Sequence, residues 1–152
     1  MKLATALSER ADLQRRLSEL QSRLNNNAKV QEGEEPSEDP KALLKELDAL
    51  LERLEWLMTQ INLTNSRTLA DGVSVTALLS RRDCLKKRMN VMRSFLDTAS
   101  GKVDRYSQKE IRILSTVKVS VLQKQVDQVS KELRELDERI QGLNWTTELM
   151  ED

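Results

Sequence analysis

Apolar residues recur every three or four positions in four stretches of the chain, which is the spacing that lines one face of an α-helix. The clearest stretch runs from Val119 to Leu143, where nearly every residue between the apolar positions is polar or charged. A stripe this narrow is stable in water only when neighbouring helices cover it. The sequence therefore predicts a mainly all-α fold, an antiparallel four-helix, coiled-coil-like bundle.

Three more helices are predicted ahead of this one, separated by polar or helix-breaking residues. Asp39 followed by Pro40 is a strong start signal, because a capping carboxylate precedes a proline at the first helical position. Residues 25–39 are predicted to form an acidic, solvated connector. The three helices are expected to run from Leu3 to Leu24, from Pro40 to Ile61 and from Val75 to Ala99.

The second helix carries large side chains beside and opposite its main stripe. Leu44, Leu51 and Met58 lie next to the stripe and are expected to widen the buried face. At 100° per residue, Trp56 lies on the far side, where a monomer would leave its ring in water. We therefore expect either a loop or another subunit to cover Trp56.

Two segments suggest a small β element between helices 2 and 3 and between helices 3 and 4. Asp71-Gly72 is flanked by short apolar and polar pairs, which indicates a tight hairpin turn. Apolar residues at even spacing from Ile111 to Val121 are typical of a strand, but this run overlaps the start of the last helix, so the strand is placed ahead of that helix in an insertion at 105–117. We predict a short strand over residues 109–116 that pairs with the turn region. The four glycines, at positions 33, 72, 101 and 142, are all expected to lie at breaks between helices.

The chain also resembles itself. A shift of 72 residues aligns LSERADLQRRL at residues 7–17 with LSRRDCLKKRM at residues 79–89, and a shift of 79 aligns helix 2 with helix 4. Chance alignment of leucine-rich repeats is the alternative. The matched arginine and asparagine positions favour two related helical hairpins.

Arg10 and Arg82 occupy equivalent positions within the apolar stripes, and a guanidinium there is unfavourable unless it is paired. Each arginine could extend its charged end into water from an open bundle end. Alternatively, the two could meet carboxylates such as Glu9, Asp12 and Asp83 and fix the register, or bind an anion.

Composition bounds the class of protein. The 152 residues suit one domain spanning the whole chain, and 25 basic and 25 acidic residues give no net charge that would attract nucleic acid or an anionic membrane. Cys84 is the single cysteine, and no apolar run is long enough to span a bilayer. The start of the sequence does not read as a signal peptide, so we expect a cytoplasmic protein.

The sequence offers little for catalysis. It contains no histidine, which removes the commonest general base and metal ligand, and it has no glycine-rich phosphate loop. We expect no enzyme activity, no cofactor and no metal. Candidate interface or register residues are Trp56, Arg10, Arg82, Tyr106, Ile111, Ile113 and Trp145.

Several stretches together are similar to a family of small bacterial proteins often labelled septicolysin. They are NAKVQEGEEPSEDP, the TNS of residues 64–66, DGVSVTALLSRRDCL, DRYSQKEIRILSTV and LQKQVDQVSKELRELDERIQGLNWTTEL. The resemblance implies a cytolytic toxin but assigns no catalytic or pore-lining residue to this chain.

Two hypotheses for function follow. The first is a non-catalytic scaffold or binding protein that associates with itself, or with another protein, through the Trp56 face or the small sheet. The alternative, which the resemblance implies, is a membrane-active, pore-forming protein.

Overall fold

The computed structural model describes residues 1–101 and 111–152, which form four helices and two very short strands. In chain order the elements are α1 (Leu3–Asn26), α2 (Pro40–Arg67), β1 (Leu69–Ala70), β2 (Val73–Ser74), α3 (Val75–Ser100) and α4 (Val119–Thr146). The prediction of a mainly all-α chain with four helices and a small β element after the second is confirmed.

The chain divides into two compact units. Unit 1 consists of Met1–Val75 with Gln141–Asp152, and unit 2 of Thr76–Ile140. Each unit is built on one helical hairpin, α1 with α2 or α3 with α4. That the whole chain behaves as one domain stays a prediction.

Local chemistry sets the predicted start of α2 and the turn before α3. The Asp39 side chain accepts a hydrogen bond from the backbone N–H of Lys41 at 3.0 Å, and Pro40 is the first helical residue. Asp71 and Gly72 both have positive φ, 51° and 79°, as a two-residue hairpin turn of this kind requires. The turn joins β1 to β2, which pair antiparallel.

The predicted strand at 109–116 is wrong over the described residues 111–116, which are irregular, and the sheet described contains β1 and β2 alone. Ser115 explains part of this difference. Its hydroxyl donates to the Val117 carbonyl at 2.8 Å and accepts from the Val117 N–H, forming a local turn ahead of α4. Ile111 and Ile113 are exposed in this segment.

Two further expectations are corrected. Leu44, Leu51 and Met58 do not widen the buried face of α2, because they are 49%, 41% and 43% exposed and thus lie beyond the reach of α1.

Gly142 does not end a helix. It lies inside α4, where a missing side chain is tolerated at about 1 kcal/mol relative to alanine.

The core of unit 1 includes a residue from the C-terminal segment. Leu149 is buried there together with Leu3, Ala6, Leu13, Leu50, Leu54, Leu57 and Ile61. Backbone hydrogen bonds hold the segment in place, since the Leu3 N–H donates to the Thr147 carbonyl and the Leu149 N–H donates to the Met1 carbonyl. The Met150 N–H donates to Oγ1 of the buried Thr64 at 2.9 Å.

The core of unit 2 is formed between α3 and α4. It contains Met89, Leu96, Leu122, Val126 and Val129, with Leu85, Met92, Val117, Val119 and Leu133 packed against it. All of these residues except Val117 lie at the three-and-four spacing within the ranges predicted for helices 3 and 4. Val117 lies two residues ahead of α4.

The helix bounds agree with both alignment shifts of the predicted duplication. α1 begins at Leu3 and α3 at Val75, 72 residues later. α2 and α4 have equal lengths of 28 residues, and both ends of α4 lie 79 residues after those of α2. The two hairpins can therefore be compared residue by residue.

Truncation of the C-terminal anchor should destabilise the protein. Leu149→Ala leaves a cavity among the residues of the first core, and we expect the free energy of unfolding to fall by about 2–5 kcal/mol in urea titrations. Val30→Ala removes an exposed side chain from the connector and serves as the control, with an expected change within about 0.5 kcal/mol. Equal effects of the two variants would contradict a structural role for the segment.

Candidate interaction surface on the second hairpin

Ion pairs close one edge of the first hairpin, the flank on which α1 faces the N-terminal half of α2. Arg23 on α1 donates from Nε and NH2 to the two carboxylate oxygens of Glu38, at 3.1 and 2.6 Å. It also donates to Glu46 on α2 at 3.4 Å. Two-point Arg–carboxylate pairing fixes geometry as well as charge. We call Arg23, Glu38 and Glu46 the Arg23 clasp.

A second ion pair lies on the same flank. Arg53 on α2 donates from Nε and NH2 to Glu9 on α1, at 2.7 and 3.0 Å. The Arg53 guanidinium also lies 4.6 Å from the centre of the Trp56 ring, a cation–π distance. Trp56 is half-buried and packs against the core of unit 1. Trp56 is thus partly covered within its own unit. That a loop or another subunit covers the rest of its ring stays a prediction.

The second hairpin carries uncharged residues, two of them apolar, where the first has this clasp. Phe95 occupies the position equivalent to Arg23, and Val117 and Gln125 occupy those of its two glutamates. These residues line a surface groove of about 380 Å³ together with Lys118, Val121 and Leu122. The groove thus brings together the counterparts of all three clasp residues.

Exposed side chains extend this apolar surface. Val91, one helical turn before Phe95, is 69% exposed, and Phe95 itself is 46% exposed. Val121 is also exposed, and Val117 is half-buried. We call Val91, Phe95, Val117 and Val121 the apolar flank. Apolar side chains clustered at the surface in this way make the flank a candidate binding site.

The first hairpin has an exposed apolar row of its own, on α2. Leu44, Leu51 and Met58 are seven residues apart and form one row along that helix, which we call the α2 stripe. Their counterparts on α4 are polar, namely Gln123, Ser130 and Asp137. Each hairpin therefore exposes apolar side chains where its relative carries polar ones.

The two units carry opposite charge. Unit 1 contains ten Lys and Arg and sixteen Asp and Glu, a formal charge of −6, whereas unit 2 contains fifteen and nine, a formal charge of +6. The zero net charge of the chain hides this division. Electrostatic attraction between oppositely charged surfaces favours specific association.

Arg82 and Arg10 have different surroundings. Nε of the half-buried Arg82 lies 3.6 Å from Asp83 and 3.8 Å from Asp137, so this arginine links α3 to α4 within unit 2. Arg10 is also half-buried, but the carboxylates expected near it pair with other arginines, Glu9 with Arg53 and Asp12 with Arg15. The register and anion roles of the two arginines stay predictions.

The remaining candidates lie outside the apolar flank. Trp145, near the end of α4, is 68% exposed, and Ile111 and Ile113 lie in the irregular segment before α4. Tyr106 lies outside the described residues. Phe95 and Val91 are not among the candidates predicted from the sequence. The shift of 72 residues aligns them with Arg23 and Glu19, and this change from charged to apolar is the signal that points to them.

Residues 1–101 and 111–152 contain neither a metal-binding cluster nor a membrane-spanning helix. No group of three or more Asp, Glu, Cys or His side chains there could hold a metal ion. Within the same ranges, no helix is long and apolar enough to cross a lipid bilayer.

Comparison with known proteins places the chain in a family. Residues 10–149 match the family model described as "Family of unknown function (DUF6847)". The chain belongs to this family. A crystal structure of a functionally unknown conserved protein from Corynebacterium diphtheriae has 42% sequence identity to this chain and a TM-score of 0.92, and the match covers 99% of each chain. No curated protein matches.

These findings correct the resemblance drawn from the sequence. The family that matches residues 10–149 is DUF6847, and neither its description nor that of the structural relative refers to septicolysin. The resemblance is therefore wrong, and the cytolytic activity that it implied has no support.

The ion pairs of the first hairpin predict a pH dependence of stability. Hydrogen bonds from Arg53 lower the pKa of the Glu9 carboxyl, and those from Arg23 lower the pKa of Glu38. A lowered pKa in the folded state stabilises the fold above the ordinary glutamate pKa of about 4.3, and the contribution is lost as the pH falls through the folded value.

The double variant Glu9→Gln, Glu38→Gln should therefore be less stable than the wild type at neutral pH. The difference should shrink as the pH falls from about 5 towards 2. Urea unfolding across this range measures it, with Glu32→Gln in the connector as the control for loss of a charge. A difference that is constant with pH would contradict the role of the ion pairs.

Proposed function

We propose that this protein is a non-catalytic binding protein that associates with itself through the apolar flank of its second hairpin. The proposal rests on one observation. Arg23 and Glu38 form an ion pair in the first hairpin, and at the equivalent positions of the second hairpin Phe95 and Val117 line an apolar groove. Charged residues there would keep the edge of the hairpin hydrated, whereas apolar residues are stabilised when another surface covers them.

The charge distribution supports a second copy of the chain as the covering surface. A chain with no net charge does not repel its own copies, and its units of −6 and +6 attract each other between copies. The absence of histidine removes the commonest catalytic base and agrees with a binding role.

The Trp56 face and the small sheet, the two interfaces predicted from the sequence, are weaker candidates than the apolar flank. Trp56 is half-buried beneath Arg53, which reduces the apolar area that it can offer. Leu69 on the small sheet is 64% exposed, but β1 and β2 are two residues long and provide little edge for pairing. Leu69 therefore provides a matched control.

Phe95→Glu should dissociate the assembly. The wild type is expected to show a multiple of the 17.5 kDa chain mass by light scattering, and the variant the mass of one chain, with a dissociation constant raised about 100-fold or more. Leu69→Glu makes a similar change on the small sheet and should leave the mass unaltered.

Circular dichroism of both variants should retain the helix content of the wild type, because the two substituted residues are exposed. A wild type that remains a single chain at high protein concentration would overturn the proposal. Dissociation by Leu69→Glu and not by Phe95→Glu would move the interface to the small sheet and contradict the apolar flank.

A further inference from the structure

We infer that the α2 stripe of a second copy of the chain covers the apolar flank, so that each contact joins unit 1 of one copy to unit 2 of another. The inference rests on the proposed self-association and names the surface that is its partner. It accounts for both apolar surfaces at once, because the related hairpin is polar or charged at all three positions of the α2 stripe and at three of the four positions of the apolar flank.

The geometry of the two surfaces suits helix-to-helix packing. The side chains of the α2 stripe are seven residues apart, the spacing of one coiled-coil position along a helix. Val91 and Phe95 are four residues apart on α3, and the groove between Phe95 and Val121 lies beside them. A row of spaced apolar side chains can thus pack into an apolar groove.

The charges beside these surfaces are complementary. Asp48 and Glu55 lie four residues after Leu44 and Leu51, on the same side of α2, and both are exposed. Arg88 lies three residues before Val91 on α3 and is exposed, and Lys118 lines the groove. In the described part of the chain, no ion pair involves Asp48, Glu55 or Arg88. These charges are therefore available for a partner.

A contact between different surfaces of two copies can be made twice, once in each direction. When both contacts form, the assembly closes as a dimer, and no apolar flank is left open for further growth. We take this closed form as the predicted assembly, with twice the mass of the chain.

Charge reversal tests the inference directly. Glu55→Arg and Arg88→Glu each place like charges across both contacts, so each variant alone should raise the dimer dissociation constant by about tenfold or more. Mixing the two variants in equal amounts should restore the dimer. In the mixed pair, one contact joins the two altered side chains and the other joins the two native ones.

Matched controls come from the related hairpin. Arg134 is the counterpart of Glu55 on α4 and is exposed, so Arg134→Glu reverses a charge away from the proposed contact and should leave the mass unchanged. Leu51→Glu should dissociate the dimer, whereas Ser130→Glu at the equivalent position of α4 should not.

The outcomes separate this inference from the proposed function. If Phe95→Glu dissociates the assembly but Leu51→Glu and the charge reversals have no effect, self-association through the apolar flank stands and the α2 stripe is not its partner. If each charge reversal weakens the dimer but mixing does not restore it, direct pairing between the two surfaces is overturned. If the wild type is monomeric, both proposals fail.

Discussion

A two-helix hairpin leaves the edges of its apolar seam beside water, and the residues that border the seam determine whether that edge can stay exposed. In the first hairpin the border is charged, and Arg23 and Arg53 pair across the helices with Glu38 and Glu9. In the second hairpin, Phe95 and Val117 replace the first of these pairs. At the Arg23 clasp, two hairpins with the same helix register thus present borders of opposite character. The counterparts of Glu9 and Arg53, Arg81 and Glu132, keep opposite charges.

The difference between the borders connects the fold with its proposed role. Charged residues at the border of a hairpin keep that border soluble when it faces water. Where a second surface covers the border, apolar residues can take their place and form an interface. The α2 stripe has the complementary property, since its apolar residues are exposed in unit 1, where acidic side chains predominate. The two hairpins therefore have matching helices but different surfaces, because the residues that differ lie outside their cores.

Much of the fold follows from the sequence because it depends on local rules. The three-and-four spacing predicts the helices, Asp39-Pro40 predicts the start of α2, and Asp71-Gly72 predicts the turn between β1 and β2. The strand predicted at 109–116 fails because alternating apolar residues form a strand only beside a partner, and over the described residues Ser115 favours a turn. The helix end expected at Gly142 fails because a single glycine lowers helix stability too little to break α4.

The candidate surface is less accessible to sequence reasoning. Whether Leu44 joins a buried stripe or stays exposed depends on how far the facing helix reaches, which helical periodicity does not specify. Net charge also conceals the surface, because the acidic and basic residues separate between units that only the fold defines. The alignment of Arg23 with Phe95 shows a change from a charged to an apolar residue in the sequence. That this change removes an ion pair is known only from the structure, in which Arg23 contacts Glu38.

Transplanting the clasp tests the central claim most directly. The triple variant Phe95→Arg, Val117→Glu, Gln125→Glu places the residues of the Arg23 clasp at the equivalent positions of the second hairpin. Light scattering should then give the mass of a single chain, with helical circular dichroism retained, because the edge of the hairpin no longer needs a covering surface. An assembly of unchanged mass formed by the triple variant would contradict the account.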